Sequence, residues 1–263
     1  MKPLYHAMNH TGQPDLAALY RVPKIPAINQ SSYQGWTDPL GLPTEQWYHG
    51  LAANAVSPSG IVFVDHETWL YSTQAERIDT ANKYVIVRNG IKAVRPDLKV
   101  AFYGEPIRRV WWAPAMTEPG SPQWLAWQAE NNDIASILGP GLDVYAPSVY
   151  CYHTKAANPS EVLRTGLYVQ AQLDEAARVK RLYGRPDALI LPFIWYMRHD
   201  QASPLDIEYW EMVLPEADAL AEGRQLVSIL AHGELCGLPD PPSSSTASAE
   251  TAQGSAAAGP GAR

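Results

Sequence analysis

Seven short apolar runs punctuate the chain: LYHAMN (4–9), PAINQS (26–31), GIVFVD (60–65), KVAFYG (99–104), DVYAPSVYC (143–151), ALILPFIWY (188–196) and QLVSILAH (225–232). The clearest of them are apolar at successive positions, the pattern of strands buried on both faces. Between the later runs lie longer segments with readable helix starts. Ser121-Pro122 opens one, and Asn158-Pro159-Ser160-Glu161 opens another, with Asn as cap, Pro at the first position and Glu at the third. Ser203-Pro204-Leu205-Asp206 repeats the device. Gly139 and Gly184 are suitable stops, and Pro96 follows the helix that carries Ile78, Tyr84, Ile91 and Val94. Strands joined by helices predict a parallel sheet covered by helices. Seven such units predict an α/β fold of the TIM-like (β/α) barrel type with seven parallel strands, spanning residues 1–238. The first 60 residues are broken by Pro, Asn and Gly and give no clear elements beyond the two short runs.

Residues 239–263 change character. PDPPSSSTASAETAQGSAAAGPGAR is small, polar and rich in Pro, Gly, Ala and Ser. Such a segment has too little apolar surface to form a core, so a disordered tail is expected there. Over the whole 263 residues the composition, 46% hydrophobic and 18% charged, is that of a folded soluble protein. No apolar run approaches the ~18 residues of a membrane span. The opening MKPLYHAMNHTG lacks the long apolar segment of a secretory signal. That leaves the compartment open, cytoplasmic by default, with an extracellular substrate as the alternative.

The net charge is −7 and no Lys/Arg run stands out, which argues against a nucleic-acid partner. Cys151 and Cys236 are the only cysteines. They have no metal-site spacing and read as unpaired thiols, with one disulfide as the alternative. Neither GxGxxG nor GxxxxGK[ST] occurs, so no cofactor and no metal is expected.

Chemistry gathers where the apolar runs end. In a parallel barrel the C-terminal strand ends carry the reacting groups. Asp65 and Glu67 leave the third run two residues apart, about 6.6 Å between Cα atoms and on the same side of an extended chain. His66 between them is expected to point away. Tyr103 and Glu105 end the fourth run. Tyr145, Tyr150 and Tyr152 lie on or beyond the fifth, Trp195, Tyr196 and Arg198 end the sixth, and His232 and Glu234 end the seventh. The chain has 9 Trp and 14 Tyr against 3 Phe, a bias toward rings with a polar handle. Rings around acids suit a sugar, whose apolar face they cover. Two close carboxylates disfavour each other's charge, so one of the pair is expected to hold a proton, as a glycosidase acid must. In the usual pair the acids flank the bond from opposite sides. Two acids side by side suit a scheme in which the substrate's own acetamido oxygen attacks, Asp65 orienting the acetamide and Glu67 serving as acid, then base.

These residues resemble the hyaluronidases of glycoside hydrolase family 56. Asp65-His66-Glu67-Thr68-Trp69 is similar to that family's D-W-E-E-W. Leu167-Tyr168-Val169, Glu175-Ala176 and Arg178-Val179 resemble its L-Y-V-x5-E-A-x-R-V helix at identical spacing. Pro147-Ser148-Val149-Tyr150 resembles P-S-I-Y, and Pro192, Tyr196 and Arg198 resemble P-x-x-x-Y-x-R. The likeness runs from Gly60 to Gly233. It implies a seven-stranded barrel and retaining, substrate-assisted hydrolysis of an N-acetylhexosamine-containing polysaccharide. By motif, Glu67, Asp65 and Tyr196 are the catalytic candidates, Tyr196 lining the acetamide pocket. Tyr103, Tyr145, Tyr150, Trp69, Arg198 and His232 are the substrate-binding candidates. The chain departs from the pattern at His66, where the family has Trp, at the extra Ala146, and at His232-Gly233, where the family has I-W-G. Arg108, Arg109 and Arg198 are the candidates for a basic groove. A peptidoglycan muramidase-like barrel and a non-catalytic carbohydrate-binding barrel are the alternatives.

Overall fold

The computed structural model describes residues 25–29, 41–42, 45–55, 57, 60–108, 118–149, 159–194 and 227–228. Their strands are β1 (Ala27–Asn29), β2 (Ile61–Asp65), β3 (Lys99–Phe102), β4 (Val144–Tyr145), β5 (Leu189–Ile190), β6 (Phe193–Ile194) and β7 (Val227–Ser228). Their helices are α1 (Glu45–Asn54), α2 (Gln74–Val94), α3 (Pro122–Leu138) and α4 (Pro159–Tyr183). Six of the seven apolar runs therefore contain strand. The first, 4–9, lies outside the described residues. The sixth run holds both β5 and β6, because Pro192 between them has no N–H to give. Pairing nonetheless continues across the break, with Leu191 N–H donating to Tyr145 O and Phe193 N–H to Pro147 O, each at 2.8 Å.

All strand pairs are parallel, and β1 to β5 neighbour one another in chain order. β7 pairs with β6 in the same sense. The sheet is rolled. β2 and β5 are three ladder steps apart, about 14 Å if the sheet were flat. Yet Phe63 of β2 stacks on Phe193 of β6 with ring centroids 4.2 Å apart. Only a sheet curled around its own inner face brings these rings together. Ile25, Ile61, Phe63, Ala101, Tyr103, Val144, Ala146, Leu191 and Phe193 fill that interior. The alternate positions, including Val62, Val64, Val100, Phe102, Tyr145 and Ile190, pack outward against the helices. The fold is a TIM-like α/β barrel, as the alternation of runs and helices predicts.

Local chemistry sets the helix ends. Thr73 caps α2 through a reciprocal box with Glu76, and Arg95, placed before Pro96, has left helical geometry at φ −137° and ψ 73°. Ser121 caps α3 and accepts from Trp124 N–H, with Pro122 next in line. Gly184 follows α4 at a close approach. A Cβ there would collide with the Tyr145 hydroxyl and lie 2.8 Å from Lys180 O. The helix α1 was not expected, since the first 60 residues show no helical pattern. No helix among the described residues is long and apolar enough to cross a membrane.

Candidate functional site

Parallel strands put their C-terminal ends on one side of the barrel. There the segments following β2 and β3 enclose a cavity of about 260 Å³, lined by His66, Glu67, Tyr71, Tyr103, Gly104, Glu105, Ile107 and Arg108. This is near the lower end of the ~300–1,000 Å³ typical of small-molecule sites, room for about one sugar ring. Gly104 makes the turn at its floor. Its φ of 72° is open to glycine and strained for other residues, and its N–H donates to Ala146 O at 3.0 Å.

Glu67 is exposed and lines the cavity. Asp65, with Ile61 and Phe63, falls on the inner side of β2 by strand alternation. It is partly exposed, one of its carboxyl oxygens is buried, and it is not among the residues that line this cavity. Tyr103 also points inward. Its ring meets Phe63 and Phe193 edge-on, at 6.0 and 5.4 Å, and its hydroxyl lies 3.2 Å from Ser148 Oγ. Its 9% exposure is at the cavity.

Three expectations need correction. Tyr145 does not face the mouth. Val144 and Ala146 point inward, so Tyr145 points out, fully buried between sheet and helices. Burial pushes its phenol up to about 12. Trp69 is no open platform either. It is 3% exposed, stacks on His66 at 3.7 Å, meets Tyr84 edge-on at 4.8 Å, and donates from Nε1 to Gly41 O at 3.1 Å. His66 does not leave the site: it is 3% exposed and forms part of the cavity wall. Removal from water lowers its imidazole to about 4, against a smaller opposing backbone hydrogen bond and with some help from the charge of Lys83. The wall there is thus a neutral ring at neutral pH. Tyr150, Tyr196, Arg198 and His232 lie outside the described residues, as do Arg109, both cysteines and the tail.

The structure adds residues that the strand-end reading missed or left without a role. Glu105 is 7% exposed, and the Tyr71 hydroxyl donates to its Oε1 at 2.6 Å. Burial first, and then the charge of Glu105, push the Tyr71 phenol well above its ordinary range. The Arg108 guanidinium sits 4.5 Å over the Tyr71 ring and donates to Tyr71 O at 3.1 Å. Loop position hides Tyr71 from any periodicity argument. Glu105 was visible, one residue past Gly104 at a strand end.

The backbone of Arg108 is clamped from α3 and α4. Its N–H donates to Asn131 Oδ1 at 2.9 Å, and its carbonyl accepts from Trp127 Nε1 at 3.0 Å and Gln172 Nε2 at 3.3 Å. Asn131, fully buried, donates in turn to Glu175 Oε1 at 2.9 Å. Arg178 grips both oxygens of Glu175 at 2.7 Å. The motif residues Glu175 and Arg178 thereby anchor the wall of the cavity from a distance. No group of three or more metal-ligating side chains occurs among the described residues.

No protein-family model matches the chain. No curated protein sequence matches it. In fold it is similar to bee venom hyaluronidase, with a TM-score of 0.59 and 13% identity over 89% of this chain and 92% of that one. A second structure of bee venom hyaluronidase, in complex with a hyaluronic acid tetramer, aligns at a TM-score of 0.47 with 18% identity, over 81% of this chain and 64% of that one. An endo-β-1,4-mannanase from Thermotoga petrophila aligns at 0.49 with 12% identity, over 80% and 50%. The likeness at 0.59 establishes a shared TIM-barrel architecture.

Proposed function

We propose that the protein is a glycoside hydrolase that cleaves an N-acetylhexosamine-containing polysaccharide by retaining, substrate-assisted catalysis. One observation carries the reading: Glu67 lines a ring-sized cavity at the C-terminal strand ends of a TIM-like barrel, beside hydroxyl-bearing rings and a second carboxyl. Glu67 is the acid that protonates the leaving oxygen and then the base that activates water. Asp65, one residue-pair earlier on β2, orients the acetamide. The resemblance to family 56 adds Tyr196 to the acetamide pocket and Tyr150, Arg198 and His232 to the substrate contacts. The fold shared with bee venom hyaluronidase supports the same class of reaction.

Substrate-assisted attack gives a product that keeps the anomeric configuration. The test is digestion of hyaluronan, chondroitin, chitin and peptidoglycan with products read by mass spectrometry, and the anomer of the first product read by proton NMR. Cleavage with retention supports the reading, and an inverted first product contradicts it. Release of muropeptides alone would select the muramidase-like alternative. A second reading has its own motive. Asp65 is not among the residues lining the cavity with Glu67, an arrangement that suits a carbohydrate-binding barrel without turnover. Tight oligosaccharide binding with no product would favour it.

A further inference from the structure

The Tyr71 hydroxyl, 2.6 Å from Glu105 Oε1, also lies 3.1 Å from the Tyr84 hydroxyl. Tyr84, buried on α2, donates to His66 O at 2.9 Å. Four groups thus form one chain of three contacts, from a carboxyl on the cavity wall to a backbone carbonyl. That carbonyl belongs to the peptide that bears the nitrogen of Glu67. Its last hydrogen bond therefore orients the plane from which Glu67 departs.

We propose that Glu105 is a positioning residue of this site: through Tyr71 and Tyr84, its proton decides how firmly the His66–Glu67 peptide, and with it Glu67, is held. The proposal deepens the glycosidase reading and rests on it. It follows from counting protons. Three oxygen–oxygen contacts need three protons, and two tyrosines bring two. The His66 carbonyl brings none. When the Glu105 carboxyl carries a proton, it donates to Tyr71, Tyr71 to Tyr84, and Tyr84 to His66 O, and each bond polarises the next. When Glu105 is ionised, one contact must be lost. The charge-assisted bond from Tyr71 to the carboxylate is the strongest and is kept. Loss falls on the Tyr84 end, where the hydroxyl either leaves Tyr71 or leaves the His66 carbonyl.

The carboxyl is well fixed for this task. Three residues on, the N–H of Arg108 is bound by Asn131 and its carbonyl by Trp127 and Gln172. Among the described residues, the titratable and charged groups around the chain are His66, Glu67 and Tyr71 after β2, Arg77, Lys83 and Tyr84 on α2, and Tyr103 and Arg108 on the segment that holds Glu105; Arg77 donates to Tyr71 O at 3.1 Å and is itself paired with Asp133 of α3.

The test is ¹⁵N NMR in the Glu67→Gln background, which removes the titration of Glu67 itself. An amide nitrogen responds to hydrogen bonding at the preceding carbonyl. The nitrogen at position 67 is expected to shift with pH in a step that disappears in Glu67→Gln/Glu105→Gln and in Glu67→Gln/Tyr71→Phe, with the other amide signals preserved. A nitrogen that does not titrate, or titrates alike in all three proteins, overturns the proposal. With Glu67 intact, Tyr71→Phe and Tyr84→Phe are expected to lower kcat about ten- to a hundredfold with KM nearly unchanged, and Glu105→Gln to remove one limb of the pH profile. Unchanged kcat and an unchanged profile in all three would overturn it as well. If the wild type cleaves no glycan but the step at position 67 depends on Glu105, the positioning chain stands and the glycosidase reading falls.

Discussion

His66 shows how one side chain ties the cavity to stability. Its ring is buried against Trp69, and burial lowers it to about 4 from an ordinary value of 6.5. Between those values the unfolded chain binds a proton at this position and the folded chain does not. Stability therefore rises with pH, and is lost as pH falls from about 6.5 through 4. The loss from this residue is on the order of 1–3 kcal/mol. His66→Phe keeps the stack and has nothing to titrate, so its melting temperature is expected to fall less steeply than the wild type's over that window. Parallel slopes in a calorimetric pH series would refute this. The same residue marks a limit of reading side chains from a strand. The paired strand ends at Asp65, so the alternation that sends His66 away is not enforced past that point. Tyr145 fails for another reason. Its strand is apolar on both faces, and nothing in such a run says which parity faces inward.

At the scale of elements, α3 and α4 do more than cover the sheet. Asn131, Gln128 and Asn132 on α3 and Glu175 and Arg178 on α4 form a polar network, buried at Asn131 and Glu175, that ends on the Arg108 backbone. Asn131→Leu would take the acceptor from the Arg108 N–H and leave Glu175 Oε1 with Arg178 as its remaining donor. The expected cost is about 2–4 kcal/mol, read as a lower urea midpoint with an unchanged slope. A midpoint equal to the wild type's would show that the network contributes nothing. Bounds of α2, α3 and α4 were legible, because Pro96, Ser121-Pro122, Gly139 and Gly184 act locally through ring sterics, caps and close approach. The helix α1 was not, since Gly50 in its middle weakens any helical signal. Glu175 and Arg178 were visible as a motif, but the partner that gives them meaning lies on another helix.

The molecule as a whole is a rolled parallel sheet whose interior rings hold the cavity floor. Phe193 touches both Phe63 and Tyr103 across that interior. Phe193→Ala is expected to cost about 3–5 kcal/mol in chemical denaturation, and a cost below 1 kcal/mol would mean the rings do not pack as one core. The alternation of apolar runs with capped helices made the barrel readable, and Glu67, two residues past the third run, marked the cavity. Its wall was less readable, because Tyr71 and Arg108 reach it from loops. The central claim is that Glu67 performs acid/base chemistry on a bound glycan, and product analysis with wild type and Glu67→Gln on the same panel of glycosaminoglycans, chitin and peptidoglycan tests it most directly. The account predicts cleavage of at least one glycan by the wild type and a loss of about 10²–10⁴-fold in Glu67→Gln with the fold intact. Equal product yields from the two proteins would contradict it.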